Sequence, residues 1–494
     1  MSFNVTDLGW LAPYLILVAA GTLLVIAEAF YRGSDRSLLA SLAVAGSLAA
    51  AVASAVLYRE LDESETRLIF ADGKGGAMLV ADRLGYVLSA LFAMTTALTA
   101  MISPAHQREH GWQSGEYYGI LLLSASGMVI LAHAASLVTV FLGVEAMSIG
   151  VYVMTAMRRT SRRGNEAAMK YFLVGAFATG FLLYGMALLY GASGTLSLVA
   201  MPSALAQSAN PALVIAGAFL LVVAFGFKVA AVPFHMWAPD AYQGAPTPVT
   251  AFMAAAVKAA AFAAMLRLFA VALGGDTLPF GTLGWASPFI VVAAVTITIG
   301  NISAVRQDNI KRMLAYSSIS HAGVLIVGLC ATGLGAATGK SSLVYYLIAY
   351  SVTTMGAFAV VCFVGSKDRE RLHVDDWAGL AAEHPGAALA MTVCLLSLGG
   401  MPPTGGFFGK FYVFKSAMDV YGGQLLWVVL VGVMNSAISI YYYLRIVTAM
   451  YFRDPTGPFQ VTRSSGLSFV IALVPIVILE LGMMPGWWLR LIGS

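Results

Sequence analysis

The sequence contains few charged residues. Asp, Glu, Lys and Arg make up only 11% of the 494 residues, and hydrophobic residues make up 59%. Soluble domains carry about 25% charged residues, so this composition excludes an ordinary soluble protein and predicts one that crosses a membrane several times. The net charge is +4, and the basic residues cluster in loops, where they indicate orientation and not nucleic-acid binding.

Cysteine is also scarce, and its spacing excludes the usual metal centres. Cys330, Cys362 and Cys394 lie in three different apolar segments without a CxxC pair, which argues against an iron–sulfur cluster or a zinc site. The sequence has neither a GxGxxG motif nor a P-loop for phosphate groups. We therefore expect no metal and no cofactor on this chain.

Long apolar runs dominate the sequence. We expect an all-α membrane protein with about fourteen spans, because about 20 apolar residues cross a bilayer as a helix. The first run follows Asp7 and lacks a cleavage site, so it is expected to be a retained helix and not a signal peptide. The runs lie near residues 10–30, 37–58, 82–102, 116–133, 135–157, 165–190, 211–232, 248–273, 286–305, 310–331, 341–364, 386–418, 424–452 and 465–491.

The loops between these runs predict the orientation. If the N-terminus faces outward, the inward loops carry fifteen basic residues and the outward segments six. The excess of Lys and Arg on cytoplasmic loops therefore places both termini on the periplasmic side. Between the second and third runs, TRLIFADGKGGAMLVAD predicts a short β-hairpin on the membrane face.

Two runs are interrupted by Pro and Gly at corresponding places. The seventh breaks at AVPFHMWAPDAYQGAPTP and the twelfth at SLGGMPPTGGFFGKF, each the fourth of five consecutive runs. Because five is odd, the two blocks are inverted relative to each other, a pattern that indicates a transport site near the midplane. The predicted regions are three N-terminal helices with the hairpin, a first repeat, a second inverted repeat and a last helix: 1–110, 116–273, 286–452 and 465–494.

Four ionisable residues lie deep inside apolar runs: Glu145, Lys228, Lys258 and Lys410. A charge at the centre of a bilayer costs about 2.5–3.5 kcal/mol on insertion scales, so we interpret all four as functional and expect a buried lysine as the partner of Glu145. A row of buried lysines with one carboxylate can pass a proton, because burial favours the neutral amine and a nearby carboxylate favours the ammonium.

Other ionisable residues leave alternatives open. Lys170 is either an interface lysine or a second partner for Glu145, and His235 and His321 are either proton relays or packing residues. Three residues nearer the ends of spans are expected to be structural: Glu28, Arg267 and Glu480.

Five stretches carry a family resemblance: FLGVEAMSIGVYVM, NEAAMKYFLVGAF, GFKVAAVPFHMWAPDAYQGAPTPVTAFM, NIKRMLAYSSISHAGVL and GGMPPTGGFFGKFYVF. They are similar to the antiporter-like membrane subunits of respiratory complex I, and most similar to its subunit N. The resemblance implies a proton-translocating subunit of NADH:quinone oxidoreductase in the bacterial inner membrane. It also implies sibling membrane subunits as partners, with NADH, FMN, iron–sulfur clusters and quinone on other subunits.

The resemblance assigns roles to individual residues as well. It implies that Glu145 pairs with Lys228, that Lys258 and Lys410 continue the proton path, and that Lys170 is a further member. Two alternatives share the same core: a subunit of a multisubunit Na⁺/H⁺ antiporter and the membrane arm of an energy-converting hydrogenase. Cation-dependent antiport without quinone reductase would favour the first alternative, and hydrogen evolution the second.

Overall fold

The computed structural model describes residues 6–33, 35–63, 65–71, 76–274, 283–365, 370–455 and 457–493. Within these ranges, twelve helices are long and apolar enough to cross a membrane, and two shorter apolar helices accompany them. The predicted all-α membrane fold is therefore confirmed. The count of fourteen spans, the inverted repeats and the region boundaries stay predictions. Three of the basic residues counted for the orientation lie outside the described residues, namely Lys74, Lys367 and Arg369, and so do the ends of the first and last predicted regions, Met1 and Ser494.

The N-terminal part contains the two strands. They pair antiparallel with Leu68 opposite Val80, inside the segment for which the sequence predicts a hairpin. Asp82 ends the second strand segment and caps the next helix, because its Oδ1 accepts a hydrogen bond from Gly85 N at 2.8 Å. The elements in order are α1 (Asp7–Trp10), α2 (Ala12–Phe30), α3 (Ser37–Glu60), β1 (Arg67–Ile69), β2 (Leu79–Ala81) and α4 (Arg83–Glu109).

The middle of the chain contains the first interrupted helix. It consists of α9 and α10, and the helix that follows changes to π-helical geometry in two places, Met253–Val257 and Leu266–Ala272. The α-helices are α5 (Glu116–Ala132), α6 (Leu137–Thr155), α7 (Arg162–Ser193), α8 (Met201–Ala206), α9 (Pro211–Lys228), α10 (Trp237–Gly244), α11 (Thr247–Phe252) and α12 (Lys258–Met265).

The C-terminal part contains the second interrupted helix, which consists of α17 and α18. Two short 3₁₀ turns, Val374–Trp377 and Tyr421–Gly423, lie in the connections. The α-helices are α13 (Ala286–Val305), α14 (Ile310–Gly333), α15 (Gly339–Val364), α16 (Leu380–Glu383), α17 (Pro385–Gly399), α18 (Gly405–Met418), α19 (Leu426–Phe452), α20 (Ser465–Met483) and α21 (Pro485–Ile492).

The core of the molecule surrounds the continuous helix Thr247–Ala272. Its apolar stretch is completely buried, and α4, α14 and α15 are nearly so, whereas α2 and α7 expose most of their side chains. The exposed side chains of α7 are large and apolar, for example Phe177 and Tyr184, as expected for a surface that faces lipid or another membrane subunit. The ionisable residues of the core are therefore enclosed by protein on all sides.

Candidate functional site: a row of buried lysines

The first helix break lies directly after Lys228, the last residue of α9. The chain turns at Ala230, which has a positive φ of 59°, and Pro233 cannot donate a backbone hydrogen bond. Protein groups satisfy the freed backbone, as irregular structure at membrane depth requires. Ala231 N donates to Gly226 O (2.7 Å), Trp237 Nε1 to Phe227 O (3.1 Å) and Val232 N to Thr296 Oγ1 (3.0 Å).

Lys228 is bound by hydroxyl groups. Its side chain is buried, and Nζ donates to Ser148 Oγ at 2.8 Å and to Tyr152 OH at 3.4 Å. Nζ also lies 5.7 Å from the centroid of the Tyr152 ring, within cation–π range. Both partners belong to α6, so the ammonium joins the end of α9 to that helix.

Glu145 also belongs to α6, one turn before Ser148. Its Oε1 accepts a hydrogen bond from Thr179 Oγ1 of α7 at 2.7 Å, and its side chain is only half-buried. No ion pair joins Glu145 to Lys228 within the described part of the chain. The direct pair that the resemblance implies is therefore absent from this conformation, and Ser148 stands between the two charges on one face of α6.

Lys258 occupies the centre of the completely buried helix. The π-helical stretch Met253–Val257 ends directly before it, and such bulges occur frequently at functional sites. Nζ donates to Ser318 O at 2.5 Å and also to Ser318 Oγ. It lies 5.6 Å from the centroid of the Tyr350 ring. Its acceptors are therefore neutral oxygens of α14, which belongs to the predicted second repeat.

Lys410 belongs to α18 and binds the backbone at the second helix break. Helix α17 ends at Gly399, and Gly400 continues in the left-handed conformation with φ of 79°, which favours glycine at a helix end. Lys410 Nζ donates to Leu398 O at 2.9 Å and to Gly399 O at 3.3 Å. The ammonium thus binds the last carbonyls of α17, where the helix dipole favours a cation.

Gly406 allows the two halves of this broken helix to approach closely. A Cβ atom there would lie 2.0 Å from Ser397 O, so no other residue fits without movement of the backbone. The hydroxyl of Ser397 accepts a hydrogen bond from Gly406 N at 3.1 Å. The break is therefore a packed element whose backbone has protein partners.

His321 lies between the sites of Lys258 and Lys410. Its Nδ1 bonds Tyr346 OH and its Nε2 lies 3.3 Å from Tyr443 OH. Together with Lys410 it lines a cavity of about 10 Å³, which holds about one water molecule. Ser317, the neighbour of Ser318, bonds the same Tyr443 hydroxyl. The resulting cluster of hydroxyl groups and one imidazole fills the space between the two lysines.

Lys170 and His235 lie nearer the surface. Lys170 forms ion pairs with Glu166 at 2.6 Å and with Asp240 at 2.9 Å, and both alternatives for its role stay predictions. Asp240 also binds Arg312 Nη1 at 2.7 Å. His235 is half-buried in the first break, and its Nδ1 has no hydrogen-bond partner among the described atoms.

Arg267, which the sequence leads us to expect as a structural residue, binds Asp82 and the end of α5. Its guanidinium binds both carboxylate oxygens of Asp82 at 2.6 Å and also donates to Ala132 O, the end of α5. Burial, the largest single effect, raises the pKa of Asp82, but the charge and hydrogen bonds of Arg267 together with His133 and the Gly85 N–H outweigh it, so the net pKa lies below the ordinary value. Burial lowers the pKa of the adjacent His133 to about 4. These contacts connect the segment that follows β2 to the helix Thr247–Ala272, which also contains Lys258.

Sequence reasoning missed the neutral partners of the lysines. Serine and tyrosine are common in apolar helices, so a single hydroxyl gives no signal by itself. Two local signals existed: Ser148 lies three residues after Glu145 on the same helical face, and Ser317, Ser318 and His321 follow one another in the run SSISH.

Comparison with known proteins identifies the family. Residues 134–439 match the family model described as NADH:quinone oxidoreductase/Mrp antiporter, transmembrane. This chain belongs to that family. A relative from Trichlorobacter lovleyi named NADH-quinone oxidoreductase subunit N is 42% identical, covering 96% of this chain and 95% of the relative. A second, from Sorangium cellulosum, has the name NADH-quinone oxidoreductase subunit N 1 and is 41% identical, covering 96% and 95%.

Two solved structures have the same fold. A chain of respiratory complex I from Thermus thermophilus is 31% identical with a TM-score of 0.80, covering 98% of this chain and 100% of that chain. A chain of the Mrp complex from a Dietzia species has a TM-score of 0.82 at 22% identity, covering 99% and 97%. At that identity the second likeness concerns the fold alone.

Proposed function

We propose that this chain is a proton-translocating membrane subunit of an NADH:quinone oxidoreductase. Protons pass along Lys228, Lys258 and Lys410, with Glu145 as a charge that acts on the first lysine. NADH, FMN, iron–sulfur clusters and quinone belong to other subunits of the complex, and this chain performs no redox chemistry. Its partners are the other membrane subunits, and both its termini face the periplasm.

One observation carries the proposal: within the described part of the chain, Lys228, Lys258 and Lys410 are buried and have only neutral oxygen acceptors. Lys311, at the start of α14, shares this property, but only the other three lie at a helix break or beside a π-helical stretch. A buried ammonium that is held by a permanent carboxylate keeps its proton, because the ion pair compensates for desolvation. An ammonium held by hydroxyl and carbonyl oxygens is less stabilised, so a nearby charge can move its proton. Each lysine is therefore able to alternate between its charged and neutral forms.

The connection from Lys258 to Lys410 is the best defined part of the path. Lys258 and Tyr350 OH both bind Ser318 Oγ, the tyrosine at 2.8 Å. The Tyr350 ring centroid lies 5.1 Å from that of His321, and His321 lines the small cavity beside Lys410. Hydroxyl groups, an imidazole and one water molecule suffice for a proton relay.

The names of the relatives favour a quinone reductase over the antiporter alternative. The relatives that are about 40% identical over nearly their whole length are named NADH-quinone oxidoreductase subunit N. The Mrp chain is only 22% identical. Proton movement through the family core is expected for a quinone reductase subunit and for an antiporter subunit. The two alternatives are therefore distinguished by testing whether proton transport depends on quinone reduction.

Lys410→Met provides the test, with Lys415→Met as its matched control on the same helix. Lys410 is buried, whereas Lys415 is exposed near the end of α18. We expect both variants to assemble, because Met fills a similar volume without a buried charge. In proteoliposomes, Lys410→Met should lower the number of protons pumped per electron transferred to quinone, and Lys415→Met should not.

Two results would contradict the proposal. An unchanged proton-to-electron ratio in assembled Lys410→Met complex would make this lysine structural. Na⁺-dependent antiport by vesicles that contain this chain but no quinone reductase would favour the antiporter alternative.

A further inference from the structure

The cytoplasm-proximal end of α4, opposite the end that Asp82 caps, contains an unusual group of unpaired polar atoms. Half of the buried side-chain nitrogen and oxygen atoms without a hydrogen-bond partner in the described residues belong to four residues there: His106, Gln107, His110 and Trp112. Both ring nitrogens of His106 are unpaired, although only 2% of this residue is exposed. Buried polar groups normally have hydrogen-bond partners, so the unpaired atoms at this end of the helix indicate a site for a bound ion or ligand.

Two imidazoles and a carboxylate converge at this place. His106 and His110 are four residues apart, and their rings stack with centroids 4.2 Å apart. Glu370, which follows α15 in the chain, places Oε1 at 3.7 Å from His110 Nε2. One potential ligand atom from each residue lies within 4.8 Å of the other two. The residues come from segments more than 250 positions apart, so their meeting depends on the tertiary fold.

The hydrogen bonds of His110 define which nitrogen is available. Its Nδ1 lies 2.9 Å from His106 O, and a carbonyl oxygen can only accept, so Nδ1 carries the proton. In a neutral ring Nε2 then has a free lone pair, and this is the unpaired atom that faces Glu370. Metal-binding histidines almost always donate their other ring nitrogen in this way.

We propose that His106, His110 and Glu370 form a binding site for a divalent transition-metal ion of the Zn²⁺ class. Two imidazoles with one carboxylate are an established ligand set for zinc, with bonds of about 2.0–2.2 Å. In a tetrahedral zinc site two ligand atoms are about 3.4 Å apart, so the widest separation here, which is within 4.8 Å, must shorten by about 1.4 Å through side-chain rotation. The three residues also line a cavity of about 10 Å³, which is the size of one water molecule.

Positively charged side chains near the cluster oppose the binding of a metal ion. Arg158 Nη1 lies 3.2 Å from Glu370 Oε1, and the arginine side chain is 33% exposed, so it can turn to solvent when an ion takes its place. Arg371 lines the same cavity. Lys311 is completely buried, but its Nζ is held by Ala245 O at 2.8 Å. These cations oppose an incoming ion, and removal of Arg158 is expected to strengthen binding.

Zinc binding to the assembled complex tests the site. Complex purified with a histidine-free affinity tag is first treated with a chelator and then equilibrated with radioactive Zn²⁺ by dialysis. We expect the unaltered complex to hold about one more tightly bound zinc than His106→Gln/His110→Gln. His384→Gln is the matched control, since it removes a half-buried histidine outside the cluster and should bind zinc like the unaltered complex.

Two further variants make the result independent of folding. Glu370 is at the edge of the cavity with its side chain 22% exposed, so Glu370→Gln should assemble even if the histidine variants do not. Mutation of a residue that is hydrogen-bonded to a metal ligand lowers metal affinity by about 10–100-fold. Glu370→Gln removes a ligand itself, so it should lower zinc affinity by at least this factor. Arg158→Met should bind zinc more tightly. Equal zinc binding by the unaltered complex and Glu370→Gln would overturn the proposal, as would unchanged affinity in Arg158→Met.

Discussion

Replacing Arg267 with Met should strongly destabilise the region where the hairpin segment contacts the helix Thr247–Ala272. The guanidinium of Arg267 is the charged partner of Asp82, whose side chain is only 19% exposed. Removing one partner of a buried ion pair leaves an uncompensated charge and costs about 3–5 kcal/mol. The end of α5 also loses its donor at Ala132 O. We expect a clearly lower midpoint temperature in thermal denaturation of the solubilised complex.

A double-mutant cycle separates the ion pair from the rest of the site. In Asp82→Asn/Arg267→Met, neither residue is charged, so the penalty for an isolated buried carboxylate is absent. The double variant should therefore be more stable than Arg267→Met, and its loss of stability should be smaller than the sum of the two single losses by a coupling energy of about 0.5–3 kcal/mol. If the two single losses simply add, the residues are not energetically coupled, and the assignment of a structural ion pair is wrong.

The pH dependence gives a second test of the same pair. In the unaltered protein the pKa of Asp82 is lowered, so its stabilising contribution is present above its ordinary pKa and is lost as acid protonates it. Without Arg267, burial alone raises this pKa, so the folded variant takes up a proton and gains stability relative to the unaltered protein as pH falls from 7 towards 5. Arg267 also lowers the pKa of His133 by charge repulsion, so its removal raises the pKa of both Asp82 and His133. A stability difference between the two proteins that stays constant over this range would refute the reasoning.

Two other predictions concern the path and the orientation. Ser148→Ala removes a hydroxyl that binds the Lys228 ammonium, an interaction worth about 1.5–3 kcal/mol, and should slow proton pumping several-fold in proteoliposomes, whereas Ser148→Thr keeps a hydroxyl and should pump better than the alanine variant. Equal pumping by the two variants would count against Ser148 as a link between Glu145 and Lys228. Ser161→Cys lies directly before α7, between two pairs of arginines, and should react with an impermeant thiol reagent only from the cytoplasmic side. Labelling in intact spheroplasts would reverse the predicted orientation.

The fold class and the buried lysines could be predicted from the sequence because both depend on local composition. A lysine within twenty apolar residues is visible without knowledge of its neighbours, and Pro and Gly mark the helix breaks directly. The half-buried position of Glu145 could not be predicted in this way. Its run is as apolar as that of Lys228, and only the packing of α6 against α7 determines which side of the helix faces outward.

Long-range partners could not be predicted for a different reason. Arg267 binds Asp82, 185 residues earlier in the chain, and Glu370 lies close to His106 and His110, which are more than 250 positions earlier. One charged residue near the end of a span has many possible partners, since orientation alone does not define which helix ends are neighbours. The structure assigns these partners because it defines which helices pack together.

Each helix break places a lysine at the C-terminal end of a half-helix, where the backbone dipole favours a cation. Lys410 Nζ binds the last carbonyls of α17, whereas Lys228 is the last residue of α9 and its Nζ binds hydroxyl groups of α6. A helix dipole stabilises a cation by about 0.3–2 kcal/mol, which is less than the 3–5 kcal/mol that loss of a buried ion-pair partner costs. Lys258 has no such helix end, and its acceptors come from Ser318 of α14. The lysine with the weakest fixed stabilisation therefore lies where the two predicted repeats meet, and a change in their packing would act first on its proton.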